Sequence, residues 1–239
     1  MAQRSARGLA SQALYEVKTV AARYPAVALP VARMRGRNHP ITADTQLVIE
    51  GFPRSASSFA VAAFELSQPE KPRLAHHVHA PAQVIEAARR GVPVILLIRA
   101  PEETVLSFVI RHPQLTLGQA LRGYARFYEP LVGYRESVVV GTFPRVTTSF
   151  GEVVARVNAR FGTSFSTFDH TPDNVDRCMD SIARYVRANH PPERYERVVP
   201  TPSAERERLK DALRPRYRAE SLRRLRRRGE VIYTRFADL

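Results

Sequence analysis

The segment Gly51-Phe52-Pro53-Arg54-Ser55-Ala56-Ser57-Ser58-Phe59 holds the most concentrated chemistry in the chain. It follows the apolar run Leu47-Val48-Ile49 and leads into a helix-like run over 59–66. Strand, tight loop and helix in that order make an anion cradle. Backbone N–H groups of the loop and first helical turn point at one spot, and the helix dipole favours negative charge there. A nucleoside-triphosphatase loop would end Gly-Lys-Ser/Thr. Here the last three positions are Ala56-Ser57-Ser58, and the cation sits inside the loop as Arg54. A loop cation followed by paired hydroxyls suits a 5′-phosphosulfate better than a triphosphate held with Mg²⁺.

A second anion-binding pattern lies downstream. Val94-Ile95-Leu96-Leu97-Ile98 reads as a buried strand, preceded by Gly91 and Pro93. It ends at Arg99, and Pro101, Glu102 and Glu103 then open a helix, proline suiting its first turn and acids its positive end. Ser107 falls about two turns along that helix. Arg99 is thereby placed at the carboxyl end of a central strand, where open α/β sheets bind ligands.

Together the two segments resemble the sulfotransferase family that uses 3′-phosphoadenosine-5′-phosphosulfate (PAPS), in its bacterial form with a P-loop-like fold. Gly-Phe-Pro-Arg-Ser-Ala-Ser-Ser is similar to the family's 5′-phosphosulfate loop, Gly-x-Pro-Lys/Arg-Ser-Gly-Thr-Thr, and Arg99 with Ser107 is similar to its 3′-phosphate pair. The resemblance implies that Arg54 contacts the sulfate-bearing phosphate and the bridging oxygen. It implies that Ser55, Ala56, Ser57, Ser58 and Phe59 bind the 5′-phosphate, and that Arg99 and Ser107 hold the 3′-phosphate. PAPS is the implied co-substrate, PAP (3′-phosphoadenosine-5′-phosphate) the product, and no metal is implied. Ala56 replaces the usual loop glycine, which strains the loop if that position needs positive φ. The family's C-terminal Arg-Lys-Gly loop is absent as such, leaving Arg206 and the segment 223–229 as alternative partners of the 3′-phosphate.

Between the motifs lie His76, His77 and His79. His77 and His79 share a face if the segment is extended. His79-Ala80-Pro81 resembles the family's His-Leu-Pro, whose histidine takes the acceptor's proton. His79, or else His77, is therefore the candidate base, a task that suits imidazole near neutral pH. A solvated or core histidine cluster and a His-x-His zinc site are the competing readings. Glu65, on the helix after the loop, is the nearest carboxylate in sequence if neither histidine serves.

The elements that must position these groups alternate. Strands are expected over 46–50, 73–78, 94–98 and 137–142. Helices are expected over 57–66, 82–90, 101–111, 116–134 and 150–161. This alternation defines an α/β fold with a central parallel sheet flanked by helices. Residues 1–45 read as a basic helix over 11–23 followed by a proline-punctuated connector, 46–170 as the PAPS-binding core, and 171–239 as a helical, basic C-terminal part with helices over 174–188 and 203–228.

The chain has 239 residues, one cysteine (Cys178) and a net charge of +14. A single cysteine excludes an internal disulfide and fits a reducing compartment. Neither a signal peptide nor a transmembrane run is expected, so the expected location is the cytoplasm, peripheral to a membrane. Eight arginines crowd residues 214–228, a footprint for an anionic membrane surface or another polyanion. Few aromatics are interleaved with them, which speaks against specific nucleic-acid binding. The reading favoured here is sulfuryl transfer from PAPS to a hydroxyl or amine of a small molecule, lipid or glycan. An ATP-using P-loop phosphotransferase and a non-catalytic polyanion-binding protein are its competitors.

Overall fold

Four short strands, β1 (Leu47–Gly51), β2 (Leu74–His76), β3 (Val94–Ile98) and β4 (Val139–Thr142), form one sheet in the order β2-β1-β3-β4, every neighbouring pair parallel. The structure is a computed structural model and describes residues 6–34, 36, 39–199, 201 and 203–237; the expected segments' outermost residues, 1–5 and 238–239, lie outside it. Twelve helices surround the sheet among the described residues: α1 (Ala6–Ala21), α2 (Pro25–Met34), α3 (Ser57–Ser67), α4 (Pro81–Arg89), α5 (Pro101–Arg111), α6 (Leu117–Tyr128), α7 (Phe143–Thr148), α8 (Phe150–Phe161), α9 (Pro172–Asn189), α10 (Tyr195–Val198), α11 (Ala204–Arg218) and α12 (Arg223–Ala237).

The strands read as continuous apolar runs because both sheet faces are covered. Val48, Val94, Leu96, Ile98 and Val140 point to one face and pack with α4, α5, α6 and α12. Leu47, Ile49, Ile95, Leu97 and Val139 point to the other and pack with α3, α8 and α9. The fold is thus the expected α/β arrangement, a parallel sheet flanked by helices.

Several elements differ from the sequence expectation, four of them in ways with a plain physical cause. The connector contains α2, despite Pro30 in its interior. Pro25 opens it in the one turn where a missing N–H costs nothing, and Leu29 and Ala32 are buried beneath it. The helix expected over 116–134 ends at Tyr128 and tightens to 3₁₀ over Glu129–Ser137, where Pro130 cannot donate the next α-type bond. The C-terminal helix expected over 203–228 breaks at Ala219, which is extended (φ −52°, ψ 144°). Arg226 Nη1 caps that break, donating to the carbonyls of Tyr217 and Ala219 at 2.7 Å each. Strand β2 stops at His76 because His77 has φ 59° and turns the chain away.

Gly51 sets the spacing of β1 and β3 at the end where the loop begins. A Cβ there would meet the Leu97 carbonyl oxygen at 2.6 Å and Leu97 Cβ at 2.9 Å. Backbone cannot yield as a flexible side chain can. Gly51→Ala should lower unfolding stability by about 1–3 kcal/mol, seen as a lower urea midpoint. An unchanged midpoint would show that the two strands separate freely at this point.

Candidate active site

Strand β1 has β2 on one side and β3 on the other. The chain therefore reverses its direction of spread between β1 and β3, and the loops leaving these two strands diverge over a crevice. The first loop is Phe52 to Ala56 and the second is Arg99-Ala100. They touch directly, with Arg99 Nη1 donating to the Arg54 carbonyl at 3.4 Å. A cleft of about 1010 Å³ opens above, lined by residues of both loops, by His77 and His79, and by α1.

Helix α3 starts at Ser57, and no side chain caps it. Its first backbone bond runs from Ala60 N to Ala56 O at 3.0 Å, so the amides of Ser57, Ser58 and Phe59 precede the helical ladder. Ser57 Oγ is buried and has no hydrogen-bond partner. A buried unsatisfied hydroxyl at an uncapped helix N-terminus is the donor set of an anion site. The loop is held from below by Tyr128, whose hydroxyl donates to Leu97 O at 2.8 Å, accepts from Phe52 N at 3.2 Å and lies 3.4 Å from Ser55 Oγ. One turn earlier, Tyr124 donates to Arg99 O at 2.9 Å. The i,i+4 tyrosine pair of α6 thereby fixes both loops. The loop is strained, with Arg54 at φ 77° and Ala56 at φ 71°.

Guanidinium groups gather around Ser107. Arg54 Nε donates to Ser107 Oγ at 2.9 Å and Arg206 Nη2 at 3.0 Å, which engages both lone pairs and leaves the hydroxyl proton to be donated. Arg54 also donates to the carbonyls of Val198 (3.2 Å) and Val199 (3.4 Å), Arg206 to that of Val199, and Arg111 to that of Val198 at 2.9 Å. Burial first, then the like charges of Arg206, Arg111 and Arg99, depress the pKa of Arg54. Among the described residues neither Arg54 nor Arg111 forms an ion pair with a carboxylate. Arg99 lies 3.9 Å over the Phe143 ring and 3.3 Å from Glu103, whose carboxylate is shared with Lys210 and Arg214. Positive charge thus exceeds negative charge here, in a setting where unpaired charge is costly.

The histidines stand at the cleft's other side, organised by Glu50. This carboxylate, buried in β1, accepts from Gly51 N and Val78 N at 3.0 Å each, His79 N at 3.1 Å and Gln83 Nε2 at 3.0 Å. Those bonds hold the segment 77–79 with His77 at φ 59° and His79 at φ 52°, both left-handed, so the two histidines do not alternate along an extended strand. His79 Nδ1 lies 2.8 Å from Gly51 O and 3.4 Å from Glu50 Oε1. A carbonyl only accepts, so the neutral ring carries its proton on Nδ1 and keeps a lone pair on Nε2. His77 Nε2 lies 3.4 Å from Ser58 Oγ and its Nδ1 2.6 Å from His76 Nδ1. His76 in turn stacks on His39 at 4.2 Å between centroids. Burial holds the pKa of His77 well below its usual value, with His79, His76 and His39 adding to the effect. Glu65, the alternative base, is exposed on α3. No group of three or more His, Cys, Asp or Glu side chains among the described residues is arranged to hold a metal.

Of the residues singled out from sequence, Arg54, Ala56, Ser57, Ser58, Phe59, His77, His79, Arg99, Ser107 and Arg206 line the cleft; Ser55 is buried against Tyr128, and Glu65 and His76 do not line it. Of the two candidates for the missing C-terminal loop, Arg206 reaches Ser107, while Arg223, Arg224, Arg227 and Arg228 line a separate groove of about 780 Å³. Sequence reasoning passed over Glu50, Arg111, Tyr124 and Tyr128. An acid inside an apolar strand, Leu-Val-Ile-Glu-Gly, was the signal for the first. An arginine one turn beyond Ser107 on the same helix was the signal for the second.

No protein-family model matches the chain, and no curated protein matches it. Among solved structures it is similar to the crystal structure of mouse sulfotransferase SULT7A1 complexed with PAP, with a TM-score of 0.43 and 12% sequence identity over 84% of this chain and 92% of that chain. Residue roles in this chain rest on its own geometry.

Two half-buried histidines give stability a pH dependence. Burial, with His39 and His79 nearby, pulls the pKa of His76 down to about 3, and burial next to Arg111 and Arg194 pulls that of His112 down to about 4. Both bind protons near pH 6.5 once unfolded. Below that pH the unfolded chain holds more protons than the native one, so stability is complete above about pH 6.5 and falls on acidification. The urea midpoint should drop between about pH 6.5 and 5, before carboxylates titrate, and His112→Gln should flatten that drop. A midpoint that is level across this window would contradict their being neutral in the folded protein.

Proposed function

We propose that the cleft binds PAPS and that the protein transfers its sulfuryl group to a hydroxyl or amine, releasing PAP and a sulfated product. The observation that carries this reading is the pair of anion cradles at the ends of adjacent strands: uncapped α3 with the buried, unpartnered Ser57 hydroxyl, and the guanidinium cluster on Ser107. Two separate cradles match a nucleotide that carries phosphate at both 5′ and 3′ positions. A triphosphate would instead ask for contiguous phosphate contacts and a lysine at the helix start.

The donors present fit the group. The amides of Ser57, Ser58 and Phe59, with Ser57 Oγ, would hold the 5′-phosphate; Ser107, Arg206, Arg99 and Arg54 would hold the 3′-phosphate. Arg54, hydrogen-bonded to Ser107 at 2.9 Å, stands between the two cradles, within reach of the bridging oxygen that the sequence resemblance assigns to it. Bound there, PAPS supplies an electrophilic sulfuryl group and a phosphate leaving group. His79 Nε2 takes the proton of the acceptor hydroxyl or amine, and Glu50, 3.4 Å from Nδ1, steadies the imidazolium that results. Held by Gly51 O and Glu50, the ring cannot turn away, so the proton acceptor is already in position before the acceptor arrives. On this reading residues 46–170 are the nucleotide-binding core, preceded by the N-terminal helix and connector, and the described helices of the C-terminal part pack on it.

Arg99→Ala should weaken PAP binding by roughly 1.5–3 kcal/mol and leave adenosine 5′-phosphosulfate, which lacks the 3′-phosphate, nearly unaffected. Arg206→Ala should show the same selectivity. Titration calorimetry with both ligands checks it, and equal losses for the two would refute the 3′-phosphate assignment. ATP binding as tightly as PAP would favour the phosphotransferase reading instead.

His79→Ala should slow transfer by about 10²–10⁴-fold while PAP affinity holds. The measurement is turnover of PAPS with a sulfated product followed by mass spectrometry. If His77→Ala alone abolishes transfer, the base is His77 and the tautomer argument for His79 fails.

A further inference from the structure

Helix α1 is built inside out. Its polar side chains face the protein: Gln12 Nε2 donates to Gln114 O at 2.7 Å, Glu16 pairs with Arg122 at 2.6 Å and also with Arg126, and Thr19 Oγ1 accepts from Arg126 at 2.9 Å. These positions recur every three to four residues, so the opposite arc faces outward. That arc is Leu9, Ala10, Ala13, Leu14, Val17 and Val20, all exposed. Helix α2 continues the pattern. It buries Leu29 and Ala32 and exposes Val27, Val31 and Met34, the last 79% accessible. Eight of the eleven large hydrophobic residues exposed among the described residues fall between Leu9 and Met34. Scattered exposed apolar residues are ordinary, but a concentration on two consecutive helices marks a docking surface.

Charge identifies what docks. Glu16 is the only acid in residues 6–34, and it is turned inward. Lys18, Arg23 and Arg33 stand exposed along the margins of the apolar arc. An apolar face rimmed by cations and lacking exposed acids complements an interface of acyl chains below anionic headgroups. A second copy is a poor complement, because the chain carries +14 overall and this face carries only cations.

We propose that the α1–α2 face docks onto the surface of an anionic lipid bilayer, with Val17, Val27, Val31 and Met34 at the acyl boundary and Lys18, Arg23 and Arg33 among the headgroups. Ser11, Leu14, Lys18 and Ala22 of the same segment line the cleft. Docking therefore brings the cleft's mouth to the lipid surface. The arginine-rich α12, to which the sequence pointed as the membrane contact, buries its apolar Ile232 and Phe236 against the core and has no comparable apolar arc.

The test is co-sedimentation with phosphatidylcholine vesicles with and without phosphatidylglycerol. The protein should sediment with the phosphatidylglycerol vesicles, and Val17→Glu/Val27→Glu should cut that partition by about tenfold or more. Neither valine lines the cleft, so PAP titration of the same variant reports folding and nucleotide binding separately from docking. Arg224→Glu/Arg227→Glu on α12 should retain most of the vesicle binding. A Val17→Cys variant carrying an environment-sensitive dye, feasible because Cys178 is buried, should shift its emission to the blue on anionic vesicles. Absence of vesicle binding, a Val17→Glu/Val27→Glu variant that binds like the parent, or loss confined to the α12 variant would each overturn the proposal. So would light scattering that finds a dimer converted to monomer by Val17→Glu/Val27→Glu, since the face would then belong to a second copy.

Discussion

Glu50 is a carboxylate placed where the sheet has no water to offer it. Its two oxygens take three backbone amides and the Gln83 side chain, and Gln83 in turn accepts from Ile41 N at 3.0 Å. One buried charge thus ties together β1, the residues after β2, helix α4 and the segment that follows α2. Such a network is stable only when every member is satisfied, so it admits few alternative loop conformations. The left-handed backbone at His77 and His79 is a direct product of it, and His79 inherits its orientation from the same atoms.

Arginine plays the opposite part on the other side of the cleft. Around Ser107 the chain concentrates guanidinium groups whose partners are mostly neutral carbonyls. Arginine tolerates this because its charge is delocalised and never lost by deprotonation. The carbonyls of Val198 and Val199 position the cations without neutralising them. The positive field in the cleft is therefore fixed by the fold itself, the condition under which such charges act most strongly on an anion.

What the sequence disclosed follows from the range of each signal. The loop after Gly51 and the helix start after Arg99 are local: a strand, a breaker and a helix start within about a dozen residues carry the message. The five-residue apolar run of β3 was as plain. Glu50 could not be interpreted from its neighbours alone, because its partners lie 28 and 33 residues away and meet it only once the residues after β2 are in place. Helix α2 was hidden by its prolines, which read as breakers although Pro25 occupies a position that accepts one. The break at Ala219 answers to packing of Leu222 and Leu225 near Gly118, a contact that no local propensity encodes.

The four left-handed residues at the cleft, Arg54, Ala56, His77 and His79, bear on how this protein could be engineered. Each stores on the order of 1 kcal/mol that glycine would release. A search for thermostable variants guided by backbone geometry alone would therefore favour glycine at all four. At three of them the same exchange deletes a guanidinium or an imidazole from the cleft. Position 56 has only a methyl group to give up, so there the trade between durability and chemistry disappears.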